Sequence, residues 1–203
     1  KILVIAEEGL GNTLQFSRYL EMLNQLNCKI TFKCQEELHH LFEDLDYIEE
    51  LISLENDYEE FDYWVPLQNL INILTPDVTV NCPLPTPLKI NDNKLLEWET
   101  LIEINNNVKI GINWQGSKLN PRVANNSVNL DYFKNIVKNK NANFISLQKG
   151  SATADIEKLK LDQDIINYDM LMDTGSKKFL DTAAIIKYLD LVITTDTSIA
   201  HLA

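Results

Sequence analysis

Residues 189–203 read LDLVITTDTSIAHLA: an apolar, β-branched run at 191–195, a polar turn of Asp196, Thr197 and Ser198, then a helix start that carries His201. A buried strand opening onto the N-terminus of a helix presents unpaired backbone N–H groups and the positive end of aligned peptide dipoles, which together suit a phosphate. The sequence stops inside this unit, which predicts a second lobe whose sheet is incomplete. Working outward, the same alternation recurs along the chain. Strands are predicted at 2–6, 29–33, 50–54, 108–114, 143–147, 164–168 and 191–195, and helices at 13–26, 36–42, 65–74, 95–103, 130–139, 153–159 and 179–188. Residues 77–81 would close the first sheet. Pro83, Pro85 and Pro87 make residues 82–88 an extended connection, because proline lacks the N–H donor and cannot sit in a helix interior. The predicted fold class is α/β, with two Rossmann-like lobes of parallel sheet at residues 1–88 and 89–203.

At 203 residues, 45% hydrophobic and 24% charged, the chain has the composition of a globular protein with room for two lobes. A formal net charge of −12 with only two arginines argues against nonspecific nucleic-acid binding, which needs clustered cations along the phosphate backbone. Any phosphate must be held locally. Much of the acidity falls in residues 43–60 and reads as a solvated face. Asp44 and Asp46 have the spacing of an Asp-x-Asp cation site, but no strand end stands behind them, so they read as a solvated turn. Cys28, Cys34 and Cys82 lack metal-ligand spacing and cannot all pair within one chain, so reduced thiols are expected. No apolar run reaches eighteen residues, and the first strand is followed directly by a polar turn. The expectation is a cytoplasmic protein with no transmembrane segment, at most peripheral on the inner membrane face.

Ligands of open parallel sheets collect beyond the carboxyl ends of the strands, so four turns carry the functional reading: residues 7–13, 114–117, 146–150 and 195–198. Each alone consists of ordinary turn and capping residues. Together, GLGNTLQFSRY (9–19), INWQGS (112–117), ISLQKG (145–150) and DTAAIIKYLDLVITTDTSIAHLA (181–203) resemble, in order and spacing, the family-9-like glycosyltransferases. These are heptosyltransferase relatives often found behind tetratricopeptide repeats in bacterial proteins. The resemblance covers almost all of the chain. It implies a GT-B architecture, with an acceptor lobe facing a nucleotide-diphosphate-sugar lobe across a cleft, and an inverting, metal-independent transfer without a cofactor. The implied partners are a nucleotide sugar and a glycan, lipid-linked or protein acceptor, with tetratricopeptide repeats upstream.

The same resemblance assigns residues. On the donor side, the backbone N–H groups of Thr197, Ser198 and Ile199 would meet the diphosphate, Asp196 would hold sugar hydroxyls, and Gln115 and Ser117 would contact phosphate. His201 reads either as a site residue one turn in or as a helix-face histidine. Lys149 reads either as a cation for the diphosphate or as a solvent-facing loop lysine, and Arg122 falls in a polar loop at 115–127. Asn126 and Ser127 stand where the family commonly has an Arg-Ser pair. On the acceptor side, Gly11, Thr13 and Gln15 line the glycine turn, and Arg18 either holds an anionic acceptor or pairs with an acid on its own helix. Residues 62–67 resemble the family's acceptor-side acidic, Pro-Leu segment, and read equally as a buried aromatic pair before a helix.

The main departure is Asn12, which occupies the position of the family's proposed catalytic Asp. An amide has no basic site for the acceptor proton. Either His39, His40 or Asp62 substitutes for it, or the domain is a noncatalytic nucleotide-sugar-binding module. A dinucleotide-dependent oxidoreductase fits poorly, because Leu14 replaces the third glycine of Gly-x-Gly-x-x-Gly and the second strand ends in Lys33 rather than an acid.

Overall fold

The computed structural model describes residues 1–75, 88–102, 105–116, 126–175 and 178–203. The chain divides into two compact units, Lys1–Lys89 with Lys177–Phe179, and Ile90–Ser176 with Leu180–Ala203. Each contains a four-stranded, wholly parallel sheet.

In the first unit β1 (Ile2–Ile5), β2 (Ile30–Cys34), β3 (Ile48–Ser53) and β4 (Tyr63–Pro66) lie in the order β3-β2-β1-β4. Of the central strands, β1 (ILVI) is wholly apolar and β2 (ITFKC) buries every residue but Lys33, as cover on both faces requires. Helices α1 (Leu10–Phe16) and α2 (Arg18–Asn24) fill the first crossover. The sequence predicts one helix over 13–26. The break falls at Ser17, whose hydroxyl donates to the Leu14 carbonyl at 2.9 Å and so competes with the helical ladder. Between β2 and β3 a 3₁₀ turn, Glu36–Leu38, leads into α3 (His39–Phe42), which sets Phe42 edge-on to Phe32 with centroids 5.4 Å apart.

The predicted helix over 65–74 is corrected at its start. Residues Tyr63–Pro66 form β4, paired in register with β1 from Ile2↔Tyr63 to Ile5↔Pro66. Pro66 holds extended backbone at φ −61° and ψ 138°, so the helix waits for a 3₁₀ turn at Leu67–Asn69 and continues as α4 (Leu70–Leu74). Nor are the aromatics a buried pair: Tyr63 is 74% exposed and Trp64 60%. The predicted strand at 77–81 and most of the proline-rich connection at 82–88 lie outside the described residues.

The second unit repeats the strand order. After α5 (Asp92–Ile102), strands β5 (Val108–Asn113), β6 (Ala142–Ser146), β7 (Ile165–Asn167) and β8 (Leu191–Thr194) are arranged β7-β6-β5-β8. A 3₁₀ turn at Leu130–Phe133 with α6 (Lys134–Val137), and α7 (Ala154–Lys158), cover one face. That core joins Ile112, Trp114, Leu130, Phe133, Val137, Phe144, Ile156, Leu161 and Ile165. The remaining helices are α8 (Leu180–Ile186) and the short α9 (Ser198–Leu202).

Helices α5 and α8 are locked by a buried carboxylate. Asp181 accepts from Trp98 Nε1 at 2.7 Å, from Lys94 Nζ at 2.9 Å and from the Asp173 N–H at 2.7 Å. Asp173 returns the bond by accepting from the Asp181 N–H at 2.8 Å, capping α8. Burial by itself would raise the Asp181 pKa, but the bonds from Lys94 and Trp98 outweigh it and hold the carboxyl below its ordinary value. At Asp173 burial wins and the pKa is raised. Asp181→Ala is therefore expected to lower the unfolding free energy at neutral pH by about 3 kcal/mol, the cost of stranding the partners of a buried ion pair. A group whose folded pKa is depressed contributes fully above its unfolded pKa, and loses that contribution as pH falls through the folded value. Urea unfolding at neutral and acidic pH should show the gap between variant and wild type narrowing in acid.

Candidate functional site

In each sheet successive strands step outward from the first, and the fourth returns to its other side. The order reverses between β5 and β8 in the second unit and between β1 and β4 in the first, and the carboxyl ends of strands at such a reversal are where open parallel sheets bind ligands.

In the second unit three strand ends converge on two buried amides. Asn113, 3% exposed, ends β5 beside its register partner Thr194 on β8, and Gln148, 5% exposed, follows β6. Gln148 Oε1 accepts from Asn113 Nδ2 at 3.2 Å, from the Trp114 N–H at 3.3 Å and from the Gln115 N–H at 2.9 Å. Its Nε2 donates to the Gln115 carbonyl at 3.0 Å. One side chain thus sets the path of the backbone leaving β5. Asn113 Oδ1 carries the connection onward, accepting from Thr197 Oγ1 at 3.2 Å and Thr194 Oγ1 at 3.4 Å. Among the described residues, two buried polar atoms, Trp114 Nε1 in the apolar core and Thr195 Oγ1 after β8, have no hydrogen-bond partner.

The acid of the turn stands at the rim. Asp196 is 75% exposed at its side chain; Asn126 Nδ2 donates to Oδ2 at 3.1 Å, and His201 Nε2 lies 3.8 Å from Oδ1. Thr197 holds extended backbone before α9, so the first N–H groups of that helix, those of Ser198 and Ile199, begin at the same turn, with the Ile199 side chain buried beneath. The Gly116 N–H is held by Ser127 Oγ at 3.3 Å. Ser117 and Arg122 lie outside the described residues.

Lys149 has a role that neither sequence reading contained. Its Nζ donates to the Asp169 carbonyl and sits 3.2 Å from Asp169 Oδ1, while the Gly150 N–H donates to the same carboxylate oxygen at 3.1 Å. The lysine braces the loop after β6 against the loop after β7. Gly150, at φ +74°, occupies a conformation that glycine reaches without strain.

In the first unit Asn12 lies on α1, beyond the carboxyl end of β1. Its Nδ2 donates to Glu8 Oε2 at 2.5 Å. Thr13, fully buried, donates through Oγ1 to Gln35 Oε1 at 2.8 Å, and Gln35 Nε2 donates to the Glu8 carbonyl at 3.2 Å. Gly11 is inside α1. Arg18 Nε donates to the Gln15 carbonyl at 2.8 Å, tying both residues to the α1–α2 junction. Among the substitutes considered for Asn12, Asp62 is corrected: its N–H bonds to the Lys1 carbonyl at 3.0 Å, at the amino end of a parallel sheet and the far end from Asn12. His40 Nδ1 lies 3.4 Å from Glu43 Oε1, and His39 Nε2 lies 3.3 Å from the Cys34 carbonyl. Burial pushes the Cys34 thiol up to about 12, so it is no nucleophile at neutral pH.

Among the described residues no group of three or more His, Cys, Asp or Glu side chains is placed to hold a metal ion, and no helix is long and apolar enough to cross a membrane. Sequence reasoning missed Gln148, Asn113 and Glu8 as site residues. Gln148 and Asn113 each directly follow or end an apolar strand, and a polar amide there was the available signal.

No family model and no curated protein matches the chain. Solved structures do. A glycosyl transferase family 9 structure from Veillonella parvula aligns with a TM-score of 0.69 at 15% identity, over 100% of this chain and 78% of that one. The ADP-heptose lipopolysaccharide heptosyltransferase II of E. coli aligns with a TM-score of 0.63 at 12% identity, over 100% of this chain and 81% of that one. At such identities the likeness is one of fold: the two parallel sheets form a GT-B-like fold of the kind seen in both.

Gln148→Leu leaves the Trp114 and Gln115 N–H groups without their acceptor, and is expected to cost about 2 kcal/mol of stability. Amide hydrogen exchange should show loss of protection at Trp114 and Gln115 while the β6 amides stay protected.

Proposed function

We propose that this chain transfers a sugar from a nucleotide-diphosphate sugar to an acceptor hydroxyl, with the donor held by the second unit and the acceptor-side groups supplied by the first. The observation that carries the reading is the buried Gln148–Asn113–Thr197 network at the strand-order reversal, in a fold shared with two sugar transferases. Transfer needs the leaving diphosphate stabilised as its charge develops, by groups already oriented before reaction. The Thr197, Ser198 and Ile199 backbone, its path set through Asn113, is assigned that role, and Gln115 and Ser117 are assigned as further phosphate contacts. Asp196, flanked by Asn126 and His201, is an exposed acceptor of hydrogen bonds suited to sugar hydroxyls. Lys149, paired with Asp169, acts by holding the loop after β6 in place on the donor side. The sequence blocks at 9–19, 112–117, 145–150 and 181–203 support an inverting, metal-independent transfer of hexosyl or heptosyl type to a glycan, lipid-linked or protein acceptor.

Asn12 favours a second reading, in which the donor site persists as a noncatalytic binding module. Both readings require donor binding. In a thermal-unfolding panel of ADP-, UDP- and GDP-sugars with NAD as comparison, one nucleotide sugar near a hundredfold above its Kd should raise Tm by several degrees, corresponding to about 2.7 kcal/mol. NAD should leave Tm unchanged. Asp196→Asn should weaken donor affinity about tenfold, the loss of one charge-assisted hydrogen bond. Stabilisation by NAD alone would reject both readings.

A further inference from the structure

We propose that Glu8 is the proton acceptor of the transfer, and that Asn12 positions it. The inference rests on the sugar-transfer reading and adds the base that reading lacks.

Glu8 lies in the turn between β1 and α1, at the carboxyl end of the strand beside which the order of the first sheet reverses. Its backbone is in the left-handed region at φ +58°, which a side chain other than glycine rarely adopts. Neighbours hold it there: Gln35 Nε2 binds the Glu8 carbonyl, and the buried Thr13 hydroxyl fixes Gln35 from its other end. The carboxylate meets the Asn12 amide four residues on, at 2.5 Å, and remains exposed to solvent. An amide N–H can orient a carboxylate and cannot take its proton, so the pair divides the work of one acid between two residues. Asp62, at the opposite end of the sheet, cannot reach the same place.

In the step proposed, the acceptor O–H gives its proton to the Glu8 carboxylate while the acceptor oxygen forms a bond to the anomeric carbon. The bond from that carbon to the diphosphate oxygen breaks, and its electron pair leaves with the diphosphate. Water serves as acceptor in the test, so no natural acceptor need be known. The probe is whichever nucleotide sugar raises Tm in the panel, and the readout is its hydrolysis.

Glu8→Gln should cut the hydrolysis rate about a hundredfold, in the range of general-base catalysis, with donor Kd and Tm held within experimental error. The acid limb of the pH–rate profile should vanish with it. Glu7→Gln, the same charge change one residue earlier, should leave the rate unchanged. The exchanged pair Glu8→Gln/Asn12→Asp should recover about tenfold or more over Glu8→Gln, because it returns a carboxylate to the same hydrogen-bonded pair. A Glu8→Gln variant as fast as wild type would overturn the proposal, as would a wild type that binds the donor without hydrolysing it above the buffer rate. Loss of rate in His39→Gln but not in Glu8→Gln would overturn it in favour of the imidazole. Failure of every nucleotide sugar to shift Tm would instead remove the transfer reading itself, before any rate is measured.

Discussion

The amide of Gln148 is the contact on which the candidate donor site depends. It is buried after β6, yet apart from one bond from Nε2 to the Lys149 carbonyl its partners all lie at the end of β5: the side chain of Asn113, the N–H groups of Trp114 and Gln115, and the Gln115 carbonyl. A buried amide left unpaired would be costly, so the backbone after β5 has one path that satisfies it. Asn113, oriented by that bond, then presents its oxygen to Thr197 and ties down the turn after β8. Three loops that are far apart in sequence are thereby set by one polar chain, which is the kind of pre-organisation that stabilising a developing charge requires.

The first unit repeats the strand order and solves the equivalent problem with different residues. There Gln35, at the end of β2, reaches across to the turn after β1 through the Glu8 carbonyl, and Thr13 anchors Gln35 from beneath. In both units an amide-bearing residue after the second strand of the sheet braces the turn after the first. The parallel is a consequence of topology, because adjacent parallel strands end side by side and a glutamine is long enough to bridge their exits. The consequences differ. In the second unit the brace leaves two threonines, an acid and an imidazole at the turn after β8, and in the first it leaves a carboxylate paired with an amide.

Most elements were legible in the sequence because period and punctuation agreed. Predicted strands at 2–6, 108–114, 143–147 and 191–195 each match an observed strand to within one or two residues, since a β-branched run followed by a polar turn has few other uses. The failures have specific causes. Tyr63–Pro66 read as the approach to a helix because Val65 continues an apolar helical stripe, whereas the exposed edge of β1 offered a ladder that Pro66 could close without donating. The 13–26 helix read as continuous because the Ser17 hydroxyl bond to Leu14 adds no apolar signal. Lys149 read as a free cation because Asp169 lies twenty residues away, and nothing local announces that partner.

By itself the sequence determined the α/β class, the alternation of strands and turns, and the acidic, arginine-poor character that argues against nonspecific nucleic-acid binding. These follow from periodicity and composition, which act over a few residues at a time. Tertiary structure decided the rest: that Gln148 rather than Lys149 organises the loops, that Asp62 lies at the wrong end of its sheet, and that Glu8 sits on Asn12. Each of these depends on which strand ends are neighbours and on what a buried polar group must find to be satisfied, and both are properties of the folded chain.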